Sequence, residues 1–258
     1  MGIRGIVDNT YGRLASHVYN LDKCIGKSFG DIEYYRQRLD GYRGPILEPA
    51  VGNGRALIPF LEAGFDVCGF DASQDMLDYC LAQCAGRDLA PALSRQTFET
   101  FTYAKRFDAI VVPAGSLQLI ADHAAASAVL KRFYDHLAPG GRLIFDLYPG
   151  DMVADLQPNI RSWQTEAGDL LTLTSQRVKT DILGQTTVSH LRYDLWQEGR
   201  LASSELEFFT MRWWGVQEMA LTLQAAGFAD IVVSGDYAFG RVPRDGDHVV
   251  TFECRRPV

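Results

Sequence analysis

The stretch ILEPAVGNGRALIPFLEAGFDVCGFDAS, Ile46 to Ser73, constrains the fold more than any other part of the chain. A short apolar run, PILEPA, leads into Gly52 and Gly54. Ala56, Leu57, Phe60 and Leu61 then share one side of a helical pattern that stops at Gly64, and the apolar run FDVCGFD follows. The order is strand, tight loop, helix, strand. Pro59 fits a helix only in or just after its first turn, so this helix starts no earlier than about Gly54. A second helix, SQDMLDYCLAQCA, has Ser73 as its N-cap. The alternation continues with a weaker strand near Ala92–Arg95 and the buried run RFDAIVVPA. Next come a helix capped by Asp122, HAAASAVLKRFYDHL, and the strand GRLIFDLY. Strands that read as continuous apolar runs, each followed by a helix, predict an α/β fold with a parallel sheet covered on both faces.

The pattern changes between about Ile160 and Trp213. DLLTLTSQRVKTD, QTTVSHLRYDLWQ and RLASSELEFFTMRWW alternate apolar and polar residues, with turns at Leu183-Gly184 and Glu198-Gly199. An antiparallel meander of three or more strands is expected there. A helix (VQEMALTLQAAG), a strand (ADIVVSGDY) and a last strand (HVVTFECRR) close the chain. The N-terminal part is mixed polar and aromatic, and DIEYYRQRL reads as a short helix with Asp31 as N-cap. Three units result: an N-terminal helical lid (1–44), a core (45–159 and 214–258) and a β insert (160–213).

The glycine loop lies where a strand end meets a helix start, so the backbone turns tightly and a ligand can approach it closely. A dinucleotide loop needs a third glycine three positions after the second, and here that position is Leu57. A phosphate loop needs Gly-Lys-Ser/Thr, and Gly54 is followed by Arg55 and Ala56. Glu48, at the strand end, would repel a pyrophosphate but can accept hydrogen bonds from a cationic, amine-bearing ligand. Asp71 ends the second strand, where a carboxylate can take both ribose hydroxyls, while Ser73 is the better placed cap.

Together ILEPAVGNGR and GFDVCGFDASQDML resemble the class I S-adenosylmethionine (SAM)-dependent methyltransferases, in particular the small-molecule N- and O-methyltransferases. The family's usual first motif, acid-x-(Gly/Ala)-x-Gly-x-Gly, is here Glu48-Pro49-Ala50-Val51-Gly52-Asn53-Gly54, with Ala50 in place of the first glycine. RFDAIVVPAGSLQLI and LAPGGRLIFDL match the fourth and fifth strands, and GFADIVVSGDY with HVVTFECRR the final hairpin. The resemblance implies a Rossmann-like, mostly parallel sheet of seven strands with the last antiparallel, and an inserted meander after strand five. It implies SAM as cofactor, S-adenosylhomocysteine as product and an enzyme of EC 2.1.1 type. It places Glu48, Ala50, Gly52, Asn53, Gly54 and Asp71 on the cofactor. Ala72, Met76, Thr97 and Phe98 fall beside the adenine, and Pro113 and Ala114 follow strand four near the methyl. Tyr11 and Tyr19 belong to the segment that folds over the methionine part.

Charge and composition narrow the acceptor. A net charge of -7 over 258 residues speaks against a uniformly basic nucleic-acid surface. The Asn/Asp-Pro-Pro-Tyr/Phe motif of base- and glutamine-methylating enzymes is replaced by Val112-Pro113-Ala114-Gly115. The expected acceptor is a small metabolite, methylated at nitrogen or oxygen. A protein or RNA acceptor, and a non-catalytic SAM-binding partner protein, are the alternatives. Gln118, His123 and Tyr148 are the candidate catalytic groups. Ser116, Tyr148, Trp213 and Trp214 are candidate acceptor contacts, the insert serving as acceptor cap or dimer contact in a monomer or homodimer.

The five cysteines are scattered. Cys80 and Cys84 are four apart with no second ligand pair nearby, so packing is expected rather than a metal. Free thiols, no apolar leader in MGIRGIVDNTYGRLASH and no 18-residue apolar stretch lead to the expectation of a soluble, cytoplasmic protein without membrane contact.

Overall fold

The computed structural model describes residues 11–149 and 157–258. The first ten residues of the expected lid, and residues 150–156 of the link into the insert, lie outside the described residues. Two helices lead in, α1 (Arg13–Asp22) and α2 (Asp31–Leu39). The core then runs β1 (Ile46–Pro49), α3 (Leu57–Glu62), β2 (Val67–Asp71), α4 (Gln74–Ala85), β3 (Leu93–Arg95), β4 (Phe107–Val112), α5 (His123–His136) and β5 (Leu137–Leu147). A 3₁₀ turn, Ser116–Leu119, lies between β4 and α5. After β6 (Asn159–Gln164), β7 (Leu170–Asp181), β8 (Thr186–Gln197) and β9 (Arg200–Arg212), the core closes with α6 (Val216–Ala226), β10 (Ala229–Gly235) and β11 (Val250–Arg255).

The main sheet has seven strands in the order β10-β11-β5-β4-β1-β2-β3. The strands β5, β4, β1, β2 and β3 are mutually parallel, and β11 is antiparallel to both of its neighbours. This is the expected Rossmann-like arrangement, with the last strand reversed. Alternate residues feed opposite faces. Leu47, Ile110 and Val112 join the core under α5 and α6, while Ile46, Ala109 and Val111 join the core under α2, α3 and α4. Because the parallel strands share one direction, the loops after β1, β2, β4 and β5 open at the same edge, where such folds bind ligands.

The meander forms a separate four-stranded antiparallel sheet, β6-β7-β8-β9. Glu198 and Gly199, at φ 49° and 72°, make the two-residue β8–β9 hairpin. Residues 165–169 form a further hairpin turn, with Thr165 N–H donating to the Asp169 carbonyl at 2.9 Å. Leu14, Ala15 and Val18 of α1 pack against Leu171, Leu173 and Tyr193 of this sheet as a third small core.

Two local expectations change. Gly30, at φ 94°, is the N-cap of α2, and Asp31 is its buried first residue. Asp31 is drawn inward by the buried Arg55 guanidinium, with which it forms an ion pair. A buried cation demands a counter-ion, and that demand outweighs a helix cap. β5 also begins earlier than the GRLIFDLY run, at Leu137 directly after α5.

Candidate active site

The site grows from the end of β1. After Pro49 the chain enters left-handed backbone at Ala50 (φ 54°), Gly52 (φ 55°) and Gly54 (φ 87°). Glycine at 54 is also demanded by space, since a Cβ there would lie 2.6 Å from Cys80 Sγ. Ala50 carries the cost of an L-residue in this region, which explains why glycine is the commoner choice at that position. Asn53, fully buried, braces the loop: its Nδ2 donates to the Lys23 carbonyl (2.9 Å) and its Oδ1 accepts from Arg55 N–H (3.1 Å). Its side chain therefore faces the scaffold, and only its backbone belongs to the cradle.

Asp71 holds the other side. One carboxylate oxygen accepts from Gly52 N–H and the other from Ser73 N–H, both at 2.8 Å. Ser73 also caps α4 through Met76 N–H. Asp71 thus ties the glycine loop to the start of α4, and each of its oxygens keeps a further lone pair for a ligand hydroxyl. Burial raises its pKa despite the backbone N–H groups that support the charge.

Glu48 is 2% exposed, and its Oε2 has no hydrogen-bond partner. Burial, partly offset by Arg55 and reinforced by the nearby Asp31 and Asp71, pushes its pKa from 4.5 to about 8. A buried carboxyl oxygen left without a partner is costly. It fits a cationic ligand group in the cradle. Gly69 faces Glu48 across the β1–β2 pair, and a Cβ at 69 would lie 2.4 Å from the Glu48 carbonyl oxygen.

Helix α1 crosses over the loop. Tyr19 Cε1 lies 4.0 Å from where a Cβ on Gly52 would stand, and Tyr11 meets Tyr19 edge-on at 5.7 Å. Ser73 Oγ donates to the Tyr11 carbonyl at 3.1 Å, which fastens the start of α1 to the cradle. On its other side, Leu14 N–H donates to Glu205 of β9 (3.0 Å), and Asp22 pairs with Arg161 of β6 (2.8 Å). A cavity of about 400 Å³ lies between α1 and the inner face of the second sheet. Tyr11, Tyr19, Lys23 and Tyr148 line it from the core side, and Arg161, Arg177, Ser189 and Tyr193 line it from the sheet.

The expected residues divide accordingly. Tyr11, Tyr19, Glu48, Ala50, Gly52, Asp71 and Tyr148 gather at the cradle and cavity. Ala72 is exposed at the start of α4, and Met76 is buried beneath it. Thr97 is exposed and shares a hydroxyl bond with Thr100, while Phe98 packs edge-on against Phe70 and Phe133. Pro113 and Ala114 form the turn after β4, and Ser116 Oγ donates to the Pro113 carbonyl. Gln118 is fully buried and committed: Nε2 donates to the Arg212 carbonyl (3.1 Å), and Oε1 accepts from Tyr148 N–H (2.8 Å). It fastens the end of β5 to the end of β9. His123 lies in another groove, between α5 and α6, with its ring 5.2 Å from Trp214. Trp214 is buried in the main core, and Trp213 N–H bonds the Gln185 carbonyl; neither lines the cavity. Cys80 and Cys84 lie on α4 and are buried in the core, and among the described residues no group of three or more ligating side chains is gathered for a metal.

Lys23, Arg161, Arg177, Tyr193 and Glu205 were not legible as site residues. Period-two alternation puts Ser189, Leu191 and Tyr193 on one face of β8, but only the docking of α1 shows which face is closed.

Residues 46–141 match the methyltransferase-domain family. YqeM of Bacillus subtilis (strain 168), itself a methyltransferase by assignment only, is 28% identical over 117 residues, 45% of this chain and 47% of that protein. The match therefore spans about half the length of that relative. The glycine/sarcosine N-methyltransferase of Aphanothece halophytica is 25% identical over 194 residues, 74% of this chain and 69% of that enzyme. A SAM-dependent methyltransferase structure from Clostridium acetobutylicum ATCC 824 superposes with a TM-score of 0.75 at 18% identity, covering 94% of this chain and 98% of that one. The sugar N-methyltransferase KedS8 from Streptoalloteichus sp ATCC 53650 superposes at 0.74 and 18%, covering 100% and 98%. No helix among the described residues is long and apolar enough to cross a membrane. The chain has the Rossmann-like fold of the SAM-dependent methyltransferases, and its cradle falls within the methyltransferase-domain match.

Proposed function

We propose that this protein transfers a methyl group from SAM to a nitrogen of a small molecule held between α1 and the second sheet. The observation that carries the reading is Glu48: a buried carboxyl group with a bare oxygen, at the end of β1, beside a left-handed loop and across from Asp71. SAM offers the ammonium that such an oxygen lacks and the ribose hydroxyls that suit Asp71. When bound, it supplies a methyl group made electrophilic by a sulfonium. Tyr11 and Tyr19 cover the cradle.

Nitrogen is favoured over oxygen by the lining of the cavity. Among the described residues the lining contains no histidine, and its one carboxylate, Asp22, is paired with Arg161. A neutral amine needs no base before attack, whereas a hydroxyl does. The cationic Lys23, Arg161 and Arg177 favour the neutral form of an amine bound beside them and suit an acceptor that also carries an anionic group. A concave site of about 400 Å³ suits a metabolite-sized acceptor. Calorimetric titration with SAM and S-adenosylhomocysteine tests the reading, with Glu48→Gln as control. Binding that Glu48→Gln weakens at least tenfold supports it, and no binding of either compound defeats it.

A further inference from the structure

The chain leaves the core for the second sheet past Tyr148, at the end of β5, and returns at Arg212, the last residue of β9. One side chain holds both crossings. Gln118, in the 3₁₀ turn Ser116–Leu119, is fully buried, and its amide bonds to these two residues. Its Oε1 accepts from Tyr148 N–H at 2.8 Å. Its Nε2 donates to the Arg212 carbonyl at 3.1 Å and reaches the Tyr148 carbonyl at 3.4 Å. The turn is anchored on the core, since Gln118 N–H donates to the Gly115 carbonyl at 2.9 Å. Gly115 holds φ 69°, and a Cβ there would stand 2.6 Å from the Tyr148 ring and 3.0 Å from Gln118 Oε1. Glycine lets the ring and the amide come this close.

From the second crossing the hold continues into the sheet. The Arg212 guanidinium, itself buried, donates to the Gly184 carbonyl (3.0 Å), to Gln185 Oε1 (2.7 Å) and to Glu218 at the start of α6 (2.9 Å). The end of β5, the end of β9 and the β7–β8 turn are thus fixed to one another by planar groups whose donors and acceptors have set directions. Both crossings stand at the cavity. Tyr148 lines it from the core, while Met211, next to Arg212, and Thr187, its register partner on β8, line it from the sheet. Farther along the sheet, α1 makes the other attachment, through Glu205 and Arg161.

We propose that Gln118 is the positioning residue of the acceptor site. Its amide sets the spacing between Tyr148 on the core and Met211 and Thr187 on the sheet, and so the line on which an acceptor in the cavity meets the methyl group. The proposal rests on the methyl-transfer reading above. In-line transfer is sensitive to placement, and a displacement of about 1 Å costs on the order of a hundredfold in rate. Among the described residues the bonds of the Gln118 amide reach none of Glu48, Gly52 and Asp71, so the cradle keeps its shape without it.

The test is pulsed electron spin resonance on a Cys24→Ser parent, whose remaining native cysteines are buried. Spin labels go on cysteines introduced at two exposed positions, Ala82 on α4 and Ser162 on β6, so that the distance between core and second sheet is read directly. The parent should give one narrow distance distribution. Gln118→Met, which keeps a side chain of similar length and removes the amide, should widen it. Gly115→Ala, which pushes on Tyr148 and on Gln118 Oε1 from the core side, should widen it too, and it carries the test where Gln118→Met does not fold. Val129→Ala thins the core under α5 and lowers stability without touching the amide, so it should leave the distribution as in the parent. With SAM as donor and ethanolamine, β-alanine and benzylamine as acceptors, kcat should fall about tenfold to a hundredfold in Gln118→Met. Acceptor KM and SAM affinity should stay close to those of the parent. A distribution as narrow in Gln118→Met as in the parent overturns the proposal. So does one that Val129→Ala widens as far, or a SAM affinity that falls as far as kcat. The distances need neither cofactor nor acceptor, so they decide the proposal where the parent turns over none of the three amines, and SAM calorimetry reads the methyl-transfer proposal separately.

Discussion

The cradle at the ends of β1 and β2 and the cavity under α1 are built on opposite plans. The cradle is made of backbone: left-handed turns, N–H groups held by Asp71, and two glycine positions where no side chain fits. The cavity is made of side chains that project from alternate positions of β7, β8 and β9 onto a helix. Backbone sites tolerate little change and serve a constant ligand. Side-chain sites can be rewritten residue by residue while the hydrogen-bond ladder beneath them stays in place. One region thus suits a cofactor and the other an acceptor.

The contrast sets an order of effects. Gly69→Ala should be the most damaging small change, because its Cβ would meet both the Glu48 carbonyl oxygen and Val51 Cγ1, at 2.4 and 2.3 Å. Overpacking of this kind costs about 1–3 kcal/mol. Thermal unfolding should show a fall in Tm at about 2–4 °C per kcal/mol, and SAM affinity should fall with it. An unchanged Tm would mean that the β1–β2 pair yields more easily than its geometry indicates. Next is Asp71→Ala, which removes ribose contacts and unties the glycine loop from α4. SAM affinity should drop about a hundredfold, on the order of the two charge-assisted bonds lost, while the far-ultraviolet circular dichroism stays that of a folded protein. Retained affinity would remove Asp71 from the cofactor.

Ser189→Trp sharpens the comparison from the other side. It fills the cavity, so methyl transfer to a panel of small amines should be abolished while SAM affinity stays within about twofold. Equal loss of both would show that the two regions are not separable. Glu205→Gln weakens the carboxylate that caps α1, an effect of about 1 kcal/mol. Amide exchange in α1 should quicken while β1 and β4 keep their protection. His123→Ala should be the smallest effect, within about twofold for cofactor binding and turnover, because this exposed ring lies in the α5–α6 groove.

Much of the cradle was legible in the sequence because its determinants are local. Gly52, Gly54, Glu48 and Asp71 are fixed by their places on strand ends, and a strand end can be read from an apolar run and a turn. The same locality made Asp31 misleading, since its sequence context suits a cap while its partner, Arg55, is 24 residues away. The cavity was largely illegible. Alternation showed that β7, β8 and β9 have two faces, but α1 chooses between them across more than 140 residues. Tryptophans drew attention to Trp213 and Trp214 by size alone, yet a large apolar ring is as useful to a core, and Trp214 went there. Gln118 lay at the right place after β4, and its amide proved to be a bracket between β5 and β9.

Glu48 decides the account. Its pKa of about 8 means that it holds a proton at pH 7 in the free protein. An ammonium placed against it favours the carboxylate, so the proton must leave on binding, and affinity must rise with pH until Glu48 is already ionised. Calorimetric titration with SAM at pH 7, repeated in buffers of different ionisation enthalpy, measures that proton directly. The account predicts binding with release of close to one proton, affinity that increases from pH 6 to 8, and loss of the release in Glu48→Gln. Absence of binding, or binding whose proton count is zero and the same in Glu48→Gln, would contradict it.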